Sequence, residues 1–273
     1  MYPYSMRDYI DTHCHIDFLY QRISYKGTFQ KFTTQHHFPP NYAGCVAIFC
    51  TPESLKPHGI WKDLMNEDKI WGAFGIHPHH AKYYDGWVEE HILSCMKHPK
   101  AVALGEIGLD YSNRNSSDWI LQQEVFRRQL NMALKMDKPL VIHSRDAEDD
   151  TINIMASMVP RDYPIHRHCF TGTPEEAQRW FSVFPKSFIG LTALVTFPSA
   201  FPTHRTAKEI PLERLLLETD SPYFLPRQCP RTLKFANPSM AVFVAERIAR
   251  LKGITTDEVL IAVRKNTKLM YGV

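Results

Sequence analysis

The chain alternates short apolar or β-branched runs with longer polar or amphipathic stretches, and this alternation limits its folds more than any other feature. The runs fall around 9–13, 43–50, 70–76, 101–107, 139–143, 164–168, 187–191 and 214–219. The clearest intervening helices are expected at 118–137, 146–158, 174–183, 200–209 and 238–251, with a last one over about 255–270. Thr173-Pro174-Glu175-Glu176 combines a capping hydroxyl, proline at the first helical position and an acidic first turn, a helix start by side-chain chemistry. In 238–251, Val242, Ala245, Ile248 and Ala249 recur at helical spacing. Strands that alternate with helices make a parallel sheet, and eight of them close a (β/α)₈ TIM barrel, typically ~250 residues long. The chain has 273 and is read as one barrel over 1–273. A doubly wound open sheet is the competing fold. It usually carries a glycine-rich phosphate loop after its first strand, where this chain has Asp11-Thr12-His13-Cys14-His15.

Composition excludes several classes. The net charge of +3 tolerates a polyanionic partner but is far from that of a basic tail. Six cysteines, none in a CxxC pair, do not suggest a disulfide framework, so reduced thiols in an intracellular compartment are expected. The first six residues do not read as a secretory signal. The longest apolar stretch, 43–50, is too short to span a bilayer.

The chemistry gathers at the ends of the runs. His13 and His15 are two apart on the first strand, so both side chains face the same way, into the interior of a barrel. Two buried imidazoles there need a metal or a set of hydrogen bonds, and the pair alone fits either. Later runs finish on Glu106, His143, His168 and Asp220. Any one of these ends fits a solvated edge or a turn cap. Five strand ends with ligand-type residues fit a centre at the C-terminal face of a barrel. Four histidines and two carboxylates suffice for two cations. Imidazole with carboxylate suits Zn, Mn, Fe or Ni, whereas Mg prefers more oxygen.

These residues sit in segments that resemble the TatD family of metal-dependent deoxyribonucleases: DTHCHID (11–17), GIHP (75–78), GEIGLDY (105–111), IHSRDA (142–147), HCFTG (168–172) and LLLETDSPY (215–223). Val195-Thr196-Phe197 and Asn266-Thr267 also fit, and the segments come in order along nearly the whole chain. Among members it looks most like the long eukaryotic ones, in which the nuclease is the C-terminal domain of a longer protein. The resemblance implies two divalent cations, Mg²⁺ or Mn²⁺ in function with Zn²⁺ also compatible. His13, His15, Glu106 and Asp220 would hold one, and Glu106, His143 and His168 the other, with Glu106 shared. Asp220 would orient the attacking water and take its proton. His77 and Arg145 would reach the scissile phosphate. Asp11 and Glu218 would orient ligands.

Tyr111, Phe170 and Tyr223 lie near expected loop ends, where they either stack on unpaired bases or pack the rim. Arg114, Arg227, Arg231 and Lys234 either track a nucleic-acid backbone or are solvated loop residues. Cys169 is read as core, and His36, His37, His79 and His80 as surface residues. Two segments depart from the family pattern: Phe235-Ala236-Asn237-Pro238, where Asn-Glu-Pro is usual, and the stretch 18–40 with Tyr20, Arg22, Tyr25, Lys26, Phe29 and Lys31. Both are expected at the substrate grip, which leaves DNA, RNA or a hybrid open. The functional expectation is a monomeric nuclease, without membrane association, that hydrolyses phosphodiesters of single-stranded regions or 3′ ends and acts in the nucleus. The alternatives are an amidohydrolase-type C–N hydrolase, which commonly has a carboxylated lysine where Glu106 stands, and a non-catalytic nucleic-acid-binding module, which would have lost ligands.

Overall fold

The computed structural model describes residues 7–230 and 232–273; Arg231 lies outside them. Eight parallel strands run in chain order: β1 (Tyr9–Cys14), β2 (Tyr42–Phe49), β3 (Ile70–Phe74), β4 (Ala101–Asp110), β5 (Leu140–Arg145), β6 (Ile165–Arg167), β7 (Ser187–Leu191) and β8 (Leu215–Leu217). The sheet returns on itself beyond β8. Cys14 bridges Ser221, Asp220 N donates to His13 O at 2.9 Å, and His15 N donates to Ser221 O at 2.7 Å. This is a (β/α)₈ barrel, and the sequential strand order excludes the doubly wound alternative.

Residue parity along the strands sorts two apolar layers. Cys45, Ala47 and Phe49 of β2 pack with the helices in the larger core. Val46 and Ile48 pack in the barrel interior with Ala73, Ala103, Val141, Phe188 and Leu216, joined by Met270 and Tyr271 from the chain end. The outer layer includes α5 (Trp119–Met136), α6 (Glu148–Met158), α7 (Pro174–Val183), α8 (Phe201–Glu209), α9 (Ala241–Lys252) and α10 (Thr256–Tyr271). Thr173 caps α7 and Thr255 caps α10, each in a reciprocal capping box. A 3₁₀ turn, Pro238–Met240, precedes α9, so the run expected over 238–251 is a capped turn followed by a helix.

Two local expectations are corrected. The stretch 18–40 is mostly helical, with α1 (Ile16–Arg22) and α2 (Phe29–Gln35). Its Tyr20 and Phe29 are buried in the core, whereas Arg22, Lys26 and Lys31 are exposed. Aromatic burial drives this segment onto the barrel wall. β4 also runs three residues past its expected end. Gly108 permits this: its φ is +144°, and a Cβ there would collide with the His143 carbonyl. The extension brings Asp110 level with Arg145 on β5. Among the described residues, no helix is long and apolar enough to cross a membrane, and all six cysteines are unpaired.

Candidate active site

A cavity of about 1230 Å³ opens at the C-terminal ends of the strands. Glu106 lies at its floor, 2% exposed. Three strand ends and one turn deliver imidazoles to its carboxylate. Oε1 lies 2.7 Å from His143 Nδ1, 3.5 Å from His168 Nε2 and 3.6 Å from His77 Nε2. Oε2 lies 3.5 Å from His13 Nε2 and 3.8 Å from His15 Nε2. Asp220 faces the same space, with Oδ1 3.2 Å from His15, 3.7 Å from His13 and 3.9 Å from His168. All six side chains expected as ligands therefore meet at one place. His77 joins them because Gln129 on α5 clamps its neighbour: Gln129 Oε1 accepts from Ile76 N and Nε2 donates to Ile76 O.

His13 is fully buried, and neither of its ring nitrogens has a hydrogen-bond partner; His15 Nδ1 also lacks one. A buried polar atom left unsatisfied costs about 1–3 kcal/mol. Three in one place mark a pocket shaped for something that accepts nitrogen lone pairs. Among the described residues, ligand-type atoms lie within 4.8 Å of one another in three groups: His13, His168 and Asp220; His13, His15 and Glu106; and His77, Glu106 and His143. The His13 and His168 rings stack at 3.4 Å between centroids. Burial, with His168 beside it, pulls the His13 imidazole down to about 4. Burial also holds His77 well below the usual histidine range. Burial opposes charge on His143, but hydrogen bonds with Asp110 and Glu106 outweigh it and raise the ring to about 9. Burial likewise disfavours ionised Glu106, yet His168, His77 and the bonded imidazoles hold it well below the carboxylate range. Lone pairs without partners thus face a fixed negative charge.

Sequence reading missed Asp110. Its Oδ2 lies 2.9 Å from His79 Nε2 and 3.3 Å from His143 Nε2, and its backbone N–H donates to Gln122 Oε1 at 2.8 Å. His79 and His80 line the cavity, which corrects their reading as surface residues. His79 is turned inward by the 3₁₀ turn Pro78–Tyr83. His36 and His37, expected at the surface, lie outside the cavity lining; His37 is exposed and His36 half-buried.

Glu218, expected to orient a ligand, has its Oε2 3.1 Å from His168 Nδ1. Among the described residues, Asp11 has no hydrogen bond to an imidazole ring. Its carboxylate accepts from His13 N, Thr219 N and Thr219 Oγ1, so it ties β1 to the segment after β8. Cys169 lines the cavity rather than the core; its φ of +46° breaks the strand alternation. Phe170 also lines the cavity, but it is 2% exposed and packs beneath the Arg167 guanidinium. Tyr111 lines the cavity and stacks on Trp119 at 4.3 Å, while its hydroxyl bonds Asp150 and Gln123. Tyr223, 44% exposed, and the exposed Arg145 also line it. Arg114 is in the lining; Arg227 and Lys234 are not. Asn237 caps the turn before α9.

A family model described as TatD related DNase matches residues 10–272. The chain belongs to this family. A human protein named 3′-5′ RNA nuclease TATDN2 is 45% identical over 272 residues, 98% of this chain. The chain spans 36% of that protein's length. A protein of Erwinia tasmaniensis named 3′-5′ ssDNA/RNA exonuclease TatD is 33% identical over 207 residues, covering 75% of this chain and 78% of its own. The solved structure of the TatD homologue YJJV from Escherichia coli superposes with a TM-score of 0.83 at 25% identity, covering 97% of this chain and 98% of that one.

Proposed function

We propose that this member of the TatD-related family is a metal-dependent nuclease that removes nucleotides from the 3′ ends of single-stranded DNA or RNA by phosphodiester hydrolysis. The observation that carries this reading is the buried Glu106 carboxylate ringed by five imidazoles, with His13 lacking any hydrogen-bond partner. The names of the human and Erwinia relatives support the substrate class.

His13, His15, Glu106 and Asp220 would hold one divalent cation, and Glu106, His143 and His168 a second. Mg²⁺ or Mn²⁺ is the working ion, and Zn²⁺ also suits the donors. Bound there, such cations supply Lewis acidity and a water acidic enough to attack near neutral pH. The chain's own groups do the rest. The Asp220 carboxylate faces the cavity and accepts the proton of the attacking water. Arg145 at the rim offers a guanidinium fork to the phosphate oxygens. His77, held neutral by burial, donates a hydrogen bond to the same phosphate. Asp110 steadies His143 and His79. Tyr111, backed by Trp119, and Tyr223 stack on unpaired bases at the mouth. The floor groups are nearly all buried, which favours a strand end able to enter the cavity over an intact duplex.

Glu106 stands where a carboxylated lysine would bridge metals in many C–N hydrolases, and no ligand is lost as in a binding module. The proposal also takes the barrel to be the monomeric nuclease domain of a longer nuclear polypeptide. Cleavage of 3′-labelled single-stranded DNA, single-stranded RNA, duplex and hybrid substrates, with Mg²⁺ or Mn²⁺ and with EDTA, tests the function. Metal-dependent shortening of single strands is expected. No cleavage of any substrate would shift the reading to a C–N hydrolase or a binding module.

A further inference from the structure

On the side of β3 and β4, two adjoining loops carry exposed rings and cations outward from the cavity. The 3₁₀ turn Pro78–Tyr83 has His79 and His80 in the cavity lining and Lys82 and Tyr83 beyond it. Tyr83 is 55% exposed; its ring centroid lies 6.2 Å from that of His80 and 5.1 Å from Lys82 Nζ. Lys82 Nζ also lies 3.4 Å from Ser116 Oγ, which joins the turn to the loop 112–118. That loop has Arg114 in the cavity lining and leads into α5 at Trp119 and Ile120, 56% and 77% exposed. Trp119 stacks on Tyr111, itself in the lining. Single exposed apolar side chains are ordinary, but a run of them continuous with a cavity marks a binding surface.

The loop is pinned in place. Asn115 Nδ2 donates to Asp110 O at 3.0 Å, Ser117 N to Asn115 Oδ1 at 2.9 Å, and Ser117 Oγ to His79 O at 3.3 Å. The buried Gln122 donates to Ser117 O and accepts from Asp110 N. A shelf fixed this way loses little freedom when a ligand lies on it. The carboxylates at its edges, Asp85 and Asp118, accept from backbone N–H groups that open helices. Lys82 and Arg114 supply exposed positive charge. Rings beside cations suit stacked bases and their phosphates, whatever the base.

We propose that this shelf carries the body of the single strand, the nucleotides on the 5′ side of the bond being cut, with bases on Trp119 and Tyr83 and phosphates on Arg114 and Lys82. The direction rests on the proposed function. An enzyme that takes nucleotides one by one from a 3′ end has a single nucleotide on the 3′ side of that bond, so a surface that continues past the cavity serves the 5′ side.

The test compares wild type, Tyr83→Ala, Tyr83→Phe and Lys82→Ala at matched melting temperature. Binding of a 5′-labelled single strand with phosphorothioate linkages at its 3′ end is followed by anisotropy in Mn²⁺. Tyr83→Ala should weaken it about tenfold, within the range for one stacked base, and Tyr83→Phe should restore it. Lys82→Ala should reduce the dependence of log binding constant on log salt by about 0.7. In cleavage, wild type should show a lower KM for a strand of about eight nucleotides than for a dinucleotide, and Tyr83→Ala should narrow that gap through KM rather than kcat. Removing one base among the about four nucleotides next to the terminal one should weaken binding to wild type but not to Tyr83→Ala. Wild-type binding in Tyr83→Ala and Lys82→Ala, no binding by wild type, or sensitivity confined to the terminal base would overturn the proposal; the first result would leave the shelf for a protein partner. Binding that depends on Tyr83 with no cleavage of any strand would defeat the nuclease reading and leave the shelf standing.

Discussion

Replacing Gly190 with alanine puts a methyl group against His166 and against Glu218, the carboxylate beside His168. Gly190 lies on β7, beside β6 and β8. A Cβ there would run into His166 Nε2 and stand 2.6 Å from Glu218 Cδ and Oε2. Ordinary contact begins near 3.4 Å, so Glu218 must retreat by about 0.8 Å. It has nowhere to go, since His166, His168 and the Cys169 N–H hold it and both it and His166 are fully buried. Overpacking of a dense interior costs typically about 1–3 kcal/mol, and a midpoint of about 2 kcal/mol lowers the melting temperature of a chain this size by roughly 5 °C. A reacting geometry displaced by close to 1 Å loses on the order of 10²-fold in turnover. Thermal unfolding followed by circular dichroism, with turnover of a 3′-labelled oligonucleotide, measures both. Wild-type melting with wild-type turnover would refute the packing described for Glu218.

Other perturbations separate the parts of the site. Arg145→Ala should slow turnover and reduce the dependence of log binding constant on log salt by about 0.7 for one lost single-strand phosphate contact; an unchanged slope and rate would remove Arg145 from the phosphate. Trp119 is 56% exposed behind Tyr111, so Trp119→Ala should weaken oligonucleotide binding by roughly tenfold, within the range for one stacked base, and leave hydrolysis of bis(p-nitrophenyl) phosphate intact. Equal loss on both substrates would count against stacking. Glu148 pairs with the buried Arg167 at 3.0 Å; burial raises its carboxyl, but Arg167 outweighs this and holds it low. A carboxyl depressed in the folded state stabilises above its unfolded value and loses that contribution as pH falls through its folded value. Glu148→Gln should therefore cost about 1.5–3 kcal/mol at pH 7 and progressively less below pH about 4 in urea unfolding, whereas a gap independent of pH would contradict the pairing.

Much of the barrel was legible because its strands repeat one apolar pattern and its helices begin with strong caps. Thr173 and Thr255 open their helices as side-chain chemistry requires. His13 and His15 share a face by strand periodicity, and Glu106 and Asp220 meet them only because the sheet closes. Less was legible where the backbone leaves regular geometry. His79 follows a proline into a 3₁₀ turn, so neither helical nor strand spacing reports its direction. Cys169 adopts a positive φ, which turns a residue expected in the core into the cavity. Asp110 was hidden by ending β4 at 107, although Glu106 and Asp110 lie four positions apart and both face His143. His166 carried an available signal, the same two-residue spacing to His168 that joins His13 to His15. Tyr20 shows the opposite limit: it lies in a stretch expected at the substrate grip, and only packing reveals it as core.

Mn²⁺ titration of wild type and Glu106→Ala, monitored by calorimetry and by electron paramagnetic resonance, tests the central claim most directly. Both proteins would be checked for equal folding and assayed for 3′-end cleavage on the same samples. With Glu106 shared between two cations, wild type should bind two equivalents with a spin-coupled signal. Glu106→Ala should lose the coupling, bind both equivalents weakly and cleave nothing. Two tight equivalents and near-normal cleavage in Glu106→Ala would contradict the account.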